Sequence, residues 1–578
     1  MSNEKWWKSA AVYQIYPSSF CDSNSDGIGD LPGILSKLDY LKELGIDVVW
    51  LSPIYKSPQA DMGYDIADYR DIDPRYGTLK DYDALVEGLH SRGMKLMMDL
   101  VVNHSSDEHE WFQESKSSKT NPKRDWYIWR PPRYDADGTR HPPNNWKAQF
   151  QGSAWDYDET TDEYYLHLFL AKQPDLNWEN PDVRQAVWEL MRFWVHRGCD
   201  GFRMDVINII SKVDGLPDAP ISAPDEEFQD ARALFANGPR VHIYLQEMNR
   251  EVLSKHDLIT VGETPYSIDP TALAKYVLPA NKELDMIFQF ELVGLDSAPN
   301  ASFTPRPWTL PEFMQVVNRW QTLERDAGYW NAVYIENHDQ GRSVSRWADD
   351  SDAWRALSAK MLAVLEVSLS GTQYVFQGQE IGIRNFPRSW GIEEYKDVAS
   401  QNWYKEVLER RRAEQGRDDV DMSDILDGLQ KKARDHGRIP MQWNASPHGG
   451  FTTGTPWMRV NDDFPTWNAE AQIADPDSVL SFWKSALRLR KDNKVLIYGD
   501  FTLLDPTNKQ VFAYRRVYGE KRAVILLNFT SETVKFTVAS VAAEASTRGH
   551  VFGNYPLVDG VVGAEIELRA YEGRVYLS

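Results

Sequence analysis

Four short β-branched or aromatic runs lead into side chains capable of acid–base or nucleophilic work. Residues 95–99 end in Asp99, with Asn103 and His104 close behind, and Gly201-Phe-Arg-Met-Asp205 ends in a carboxylate. Residues 258–262 are followed at once by Glu263, and 334–336 lead into Asn337, His338 and Asp339. In barrels and open α/β sheets alike, ligands sit at the carboxyl edge of the strands. Taken singly, each Asp reads as a helix cap or a surface charge. Four such ends together describe one converging acidic site.

Side chains alternate along a strand, so Arg203 and Asp205 project from the same face. A guanidinium beside a carboxylate lowers its pKa and keeps it ionised, which suits a nucleophile or charge stabiliser. The proton donor must then be a second carboxyl, held near neutrality by burial or by another acid. Two carboxyls with pKa values pushed apart are what glycoside hydrolysis requires, with a gap of about 5–5.5 Å for a double displacement.

A second constellation lies at Asp22-Ser-Asn-Ser-Asp-Gly-Ile-Gly-Asp30. Asp22, Asn24 and Asp26 fill positions 1, 3 and 5 of a Ca²⁺ loop, the Ile28 carbonyl takes position 7, and Asp30 falls at 9. Position 12 is Gly33 and not a bidentate Glu, so this is no EF-hand; an ion-free loop of Asx turns is the competing reading. The overlapping Gly27-Ile-Gly-Asp-Leu-Pro-Gly33 has the wrong spacing for a dinucleotide cradle. His104 and His109 do not form a zinc pattern, and no Gly-x-Ser-x-Gly elbow occurs.

The elements that must position these residues alternate. Strand-like runs at 11–16, 48–51, 95–102, 201–207, 258–262, 332–335 and 372–376 are interleaved with helical patterns, and Gly93 marks a helix C-terminus. Such alternation predicts a parallel sheet covered by helices. An open doubly-wound sheet and a closed barrel both satisfy it. Residues 103–172 break the pattern with a polar, aromatic, Pro-containing stretch that reads as an insertion with a functional role. Residues 395–436 are charge-dense and helical, which reads as a solvated helical pair. From about residue 496 the runs at 512–517, 522–529, 534–538 and 574–577 predict a small all-β domain.

Composition narrows the function classes. The 578 residues carry 64 Lys plus Arg against 86 Asp plus Glu, a net charge of −22, which disfavours nucleic acid as a partner. With 42% hydrophobic and 12% aromatic residues the chain can bury several cores. Two cysteines, Cys21 and Cys199, exclude a disulfide framework but not a single bridge. The first sixteen residues lack the apolar run of a signal peptide, and no stretch is long and apolar enough to cross a membrane. The expected location is the cytoplasm.

Asp99-Leu-Val-Val-Asn-His104, Gly201–Asp205, Gly262-Glu263 and Asn337-His-Asp339 resemble the four signature regions of the α-amylase family, and Gln173-Pro-Asp-Leu-Asn-Trp178 resembles its fifth. Within the family, Asp61-Met-Gly-Tyr-Asp-Ile-Ala-Asp-Tyr69 and Gly437-Arg-Ile-Pro-Met-Gln-Trp443 are most similar to the oligo-1,6-glucosidase, maltase and sucrose isomerase group. The resemblance implies a (β/α)₈ TIM barrel (residues 1–103 and 172–490, with a helical insertion at about 392–436), a B domain inserted after strand 3 (104–171) and a C-terminal antiparallel β domain (491–578). It implies Asp205 as nucleophile, Glu263 as general acid/base and Asp339 as transition-state stabiliser. Asp61, Tyr64, His104, Phe169, Gln173, Arg203, His338 and Arg438 would surround the first sugar, with Asp61 paired to Arg438 to close the pocket.

The implied activity is an exo-acting, retaining α-glucosidase on short oligosaccharides, with transglucosylation as a side reaction. Val206, after the nucleophile, resembles the residue of α-1,6-preferring enzymes, where maltases carry Thr; read as structure alone, it continues a buried strand. A maltase-type α-1,4-glucosidase or a sucrose isomerase is the near alternative, but the isomerases' Arg- and Asp-rich loop is replaced here by residues 292–300, which contain no Arg. A silent binding subunit is the alternative from another class. Related glucosidases carry structural Ca²⁺ or Mg²⁺ at the loop of Asp22, Asn24, Asp26, Ile28 and Asp30, and no organic cofactor is expected. The expected partner is a small oligosaccharide, with the chain acting as a monomer or homodimer.

Overall fold

The computed structural model describes residues 5–298, 301–537, 551–557 and 565–578. Its centre is a ring of eight parallel strands: β1 (Ala11–Ile15), β2 (Val48–Leu51), β3 (Lys95–Leu100), β4 (Gly201–Met204), β5 (Ile259–Glu263), β6 (Met286–Phe288), β7 (Ala332–Val333) and β8 (Thr372–Phe376). Hydrogen-bonded neighbours run β6-β5-β4-β3-β2-β1-β8-β7. At the remaining seam, between β6 and β7, the Tyr334 hydroxyl donates to the Gln289 carbonyl at 2.6 Å, and the Phe288 and Tyr334 rings pack edge to face at 4.8 Å. The closed barrel, not the open sheet, is the architecture.

Strands buried on both faces read as continuous apolar runs, which is why β2 and β8 coincide with the expected ranges. β6 is absent from the expected runs. Its three residues are too few for periodicity to act on. Outer helices carry ordinary punctuation: Leu79–Ser91 opens on a Thr78–Asp81 capping box, and Gly93 follows its end at φ +67°.

After β3 the insertion forms a three-stranded antiparallel sheet from Trp129–Arg130, Trp155–Asp158 and Glu163–Leu166. Its apolar face (Trp146, Trp155, Leu166, Leu168) packs against Val206, Ile209 and Phe235 from the segment after β4. The insertion is thereby fixed to the loop that carries Asp205. The second insertion is the anticipated helical pair, Val398–Gln415 and Ser423–Lys432.

The C-terminal sheet has five antiparallel strands, beginning at Asp500 beyond a helix that runs through Val479–Asp492. The boundary drawn at 491 thus falls in the last turn of that helix. Buried Arg490 donates to the Val367 and Leu369 carbonyls, each at 2.7 Å, and ties the helix to the barrel. Val538 and residues 299–300, parts of two sequence expectations, lie outside the described residues. Cys21 and Cys199 are both buried and free, so the single bridge that the sequence allowed is not formed. Among the described residues no helix is long and apolar enough to cross a membrane.

Candidate active site

Strand register assembles the site. Arg203 on β4 lies opposite Asp99 on β3 and Val261 on β5, and Met204 lies opposite Gly262. Asp205 and Glu263 are therefore level on neighbouring strands, one strand spacing of about 4.8 Å apart at the backbone. Fully buried Arg203 joins three acids. Its Nη1 donates to Asp99 Oδ1 at 2.7 Å and to Asp205 Oδ1 at 2.8 Å, and its Nη2 lies 2.7 Å from Glu263 Oε1. Arg203 and Asp205 do share a face.

The electrostatic consequence differs from the expectation. Burial pushes Asp205 up to about 7, with Asp99 and Asp339 adding to it and Arg203 opposing. Burial likewise raises Glu263 to about 7, and again Arg203 opposes. One guanidinium divided among three buried carboxyls cannot hold all of them ionised. Burial thus outweighs the shared guanidinium at both Asp205 and Glu263.

Asp339 follows β7 and has cations of its own. Its Oδ1 accepts from Arg438 Nη2 at 2.8 Å and from Arg434 Nη1 at 3.3 Å. Burial would raise it, but the Arg434 and Arg438 guanidiniums hold it far below the usual carboxylate range. It remains a fixed negative charge at any physiological pH.

The expected Asp61–Arg438 pair is not formed. Arg438 Nη1 donates to Asp397 Oδ2 at 2.7 Å, while the cation facing Asp61 is Arg434, at 3.7 Å. Asp397 also lies 2.7 Å from Arg434 Nη2, so one buried acid from the helical insertion binds both arginines. Two guanidiniums demand a fully ionised partner, and Asp397, lowered by Arg434 and Arg438 against its burial, supplies it. Burial raises Asp61 to about 6. The sequence reading missed Arg434 and Asp397; the available signal was the four-residue spacing of Arg434 and Arg438, which places them on one helical face.

The remaining expected residues form one connected wall. Gln14 Nε2 donates to His338 Nδ1 at 2.8 Å, which leaves the proton on Nε2, and Nε2 lies 2.6 Å from the Tyr64 hydroxyl. The Tyr64 and His338 rings stack, 7° from parallel, and the hydroxyl donates onward to Asp99 at 3.3 Å. Burial lowers His338 to about 3 and His104 to about 4, so both stay neutral. Gln173 Nε2 donates to Asp61 Oδ2 at 3.0 Å. Phe169 packs on His104 with ring centres 5.1 Å apart. Behind them, buried Lys212 donates to Asn103 Oδ1 at 2.9 Å and pairs with Asp175 at 2.7 Å, bracing the start and end of the insertion.

Val206 carries the main backbone anomaly of the site. It sits at φ +37° and ψ 40°, a left-handed conformation that is strained for a β-branched residue. That turn aims its N–H at Glu263 Oε2, 3.1 Å away. Val206 lies two residues beyond the end of β4 and borders the cavity, so it does more than continue a buried strand. The cavity measures about 670 Å³, within the range of small-molecule sites.

The loop at 22–30 is built of Asx turns. Asp22, Asn24 and Asp26 each accept backbone N–H bonds from residues two to five further on. Asp30 accepts from Gly33 N as a helix cap and from both Ser23 donors. Among the described residues no three His, Cys, Asp or Glu side chains are gathered as metal ligands. The oxygen donors that a hard cation would use here are those of Asp22, Asn24, Asp26 and Asp30 with the Ile28 carbonyl.

Residues 14–499 match the model of the α-amylase catalytic domain. An oligo-1,6-glucosidase of Parageobacillus thermoglucosidasius is 48% identical over 99% of this chain and 98% of its own. An α-glucosidase of Schizosaccharomyces pombe is 50% identical over 92% of this chain and 91% of its own. Among solved structures, a variant of the isomaltulose synthase from Erwinia rhapontici, in complex with its natural substrate sucrose, superposes with a TM-score of 0.92 at 38% identity, covering 100% of both chains.

Proposed function

The chain belongs to the α-amylase family, and from that membership we propose that it is an exo-acting, retaining α-glucosidase favouring α-1,6-linked oligosaccharides. The observation that carries this reading is the level placement of Asp205 and Glu263 on adjacent strands, both bonded to Arg203. Asp205 attacks the anomeric carbon while Glu263 protonates the glycosidic oxygen, giving a covalent glucosyl-enzyme and a free leaving group. Glu263, now ionised, takes a proton from water, which releases glucose with retained configuration. A sugar hydroxyl in place of water gives transglucosylation. Asp339, held ionised, stabilises the positive charge that develops on the ring.

His104 and Gln173, with Asp61 and Tyr64, grip the glucose at the buried end of the cavity, which favours removal of terminal units. The α-1,6 preference rests on Val206, whose methyl groups border the cavity beside Asp205. A sucrose isomerase remains the second reading on fold similarity, and the absence of Arg from residues 292–300 weighs against it. Cytoplasmic location accords with two free thiols. Ca²⁺ or Mg²⁺ at Asp22, Asn24, Asp26, Asp30 and the Ile28 carbonyl would be structural, remote from the chemistry.

Turnover of isomaltose, maltose, sucrose and p-nitrophenyl α-glucoside tests the assignment. Isomaltose should be cleaved faster than maltose, with α-glucose as first product, and Asp205→Ala should lose at least about 10³-fold in kcat. Val206→Thr, which keeps the strained β-branched backbone and changes only a methyl to a hydroxyl, should move the isomaltose-to-maltose ratio toward maltose by about 10-fold. Isomerised sucrose as the main product would favour the second reading. Size-exclusion chromatography separates monomer from homodimer.

A further inference from the structure

The cavity is graded in exposure. Asp61, Tyr64, His104 and Asp205 are buried at one end, whereas Ser297, Ala298, Phe303 and Trp403 remain half-exposed along the wall made by the segment after β6 and the helical insertion. Lys432, the last residue of helix Ser423–Lys432, belongs to that wall. Its ammonium donates to Asp296 Oδ1 at 2.5 Å. Arg346 grips the same carboxylate at 2.6 and 3.1 Å, and reaches Gln340 Oε1 at 2.8 Å, next to Asp339. One chain of bonds thus runs from the wall to the segment after β7 that carries Asp339.

Lys432 and Arg346 share one buried acid, so the cluster keeps an unbalanced positive charge. An ammonium has three donors, and among the described residues Asp296 alone accepts from this one. A buried cation with donors to spare is costly unless acceptors reach it. The cavity is where acceptors can arrive, and sugar hydroxyls are acceptors. Burial, joined by repulsion from Arg346, also lowers Lys432 to about 7, against the pull of Asp296.

We propose that Lys432, oriented by Asp296, donates hydrogen bonds to hydroxyls of the leaving-group sugar and so selects oligosaccharides over substrates with apolar leaving groups. The inference rests on the glucosidase reading and assigns the far side of the same cavity. Asp296 keeps Arg346 as a partner when Lys432 is replaced, so the acid is not left unpaired.

The test compares kcat/KM on isomaltose and on p-nitrophenyl α-glucoside, whose leaving group carries no sugar hydroxyls, for the wild type, Lys432→Met and Lys432→Arg. Lys432→Met should lose about 10- to 100-fold on isomaltose and less than about 2-fold on the aryl glucoside, the loss expected for a charged hydrogen bond. Lys432→Arg, which keeps the donors, should restore most of the isomaltose rate. Equal losses on both substrates, or no loss on either, would overturn the proposal. If Lys432→Met does not fold, Lys432→Leu is judged by the same split. A wild type inert on both substrates would sink the glucosidase reading instead, so the two failures are distinguishable.

Discussion

At the scale of single residues, one guanidinium decides the character of the site. Arg203 is divided among Asp99, Asp205 and Glu263, and burial therefore outweighs it at both reacting carboxyls. Glu263 has a folded-state pKa of about 7, against about 4.3 in an unfolded chain. For an acid raised by folding, the stabilising contribution is complete below the unfolded value and is lost as pH climbs through the folded one. The amide of Glu263→Gln does not titrate, so this inactive variant should gain on the wild type in melting temperature between pH 4 and pH 8. Scanning calorimetry at the two pH values checks it. An unchanged difference would mean that burial is not what raises the carboxyl. The sequence put Arg203 beside Asp205 correctly, but adjacency along one strand says nothing about how many other acids share the same cation.

At the scale of elements, the barrel strands were legible wherever they form continuous apolar runs, as β2 and β8 do. The three-residue β6 was not, because so short a segment owes its conformation to its neighbours in the ring. The helical insertion shows the same limit. It was legible as helices, yet its contribution to the site was hidden. Asp397 caps Val398–Gln415 through Ala399 N at 2.9 Å while its other oxygen holds Arg434 and Arg438. Asp397→Asn keeps a competent cap but removes the charge between two guanidiniums, a buried-pair loss of about 3–5 kcal/mol. The expected outcome is a lower melting temperature together with a several-fold higher KM for isomaltose, because Arg434 and Arg438 orient Asp339. A drop in melting temperature with unchanged KM would confine Asp397 to a structural role.

At the scale of the whole molecule, insertions and C-terminal sheet are bound to one barrel by buried polar links, among them Lys212 to Asn103 and Tyr514 to Ser368, as well as apolar packing. If the loop at 22–30 holds a divalent cation, EDTA should lower the melting temperature by a few degrees and leave the kcat of the folded enzyme unchanged, with Ca²⁺ restoring the melting temperature; an unmoved melting temperature would leave the Asx turns to hold the loop alone. The sequence by itself determined the strand–helix alternation, the acids at strand ends and the two insertions, since each depends on residue type and local spacing. Tertiary structure alone decided that Arg434 and not Arg438 faces Asp61, and that Arg203 serves three carboxyls. Those outcomes depend on which distant side chains compete for the same buried charge, and that competition exists only once the chain has brought them together.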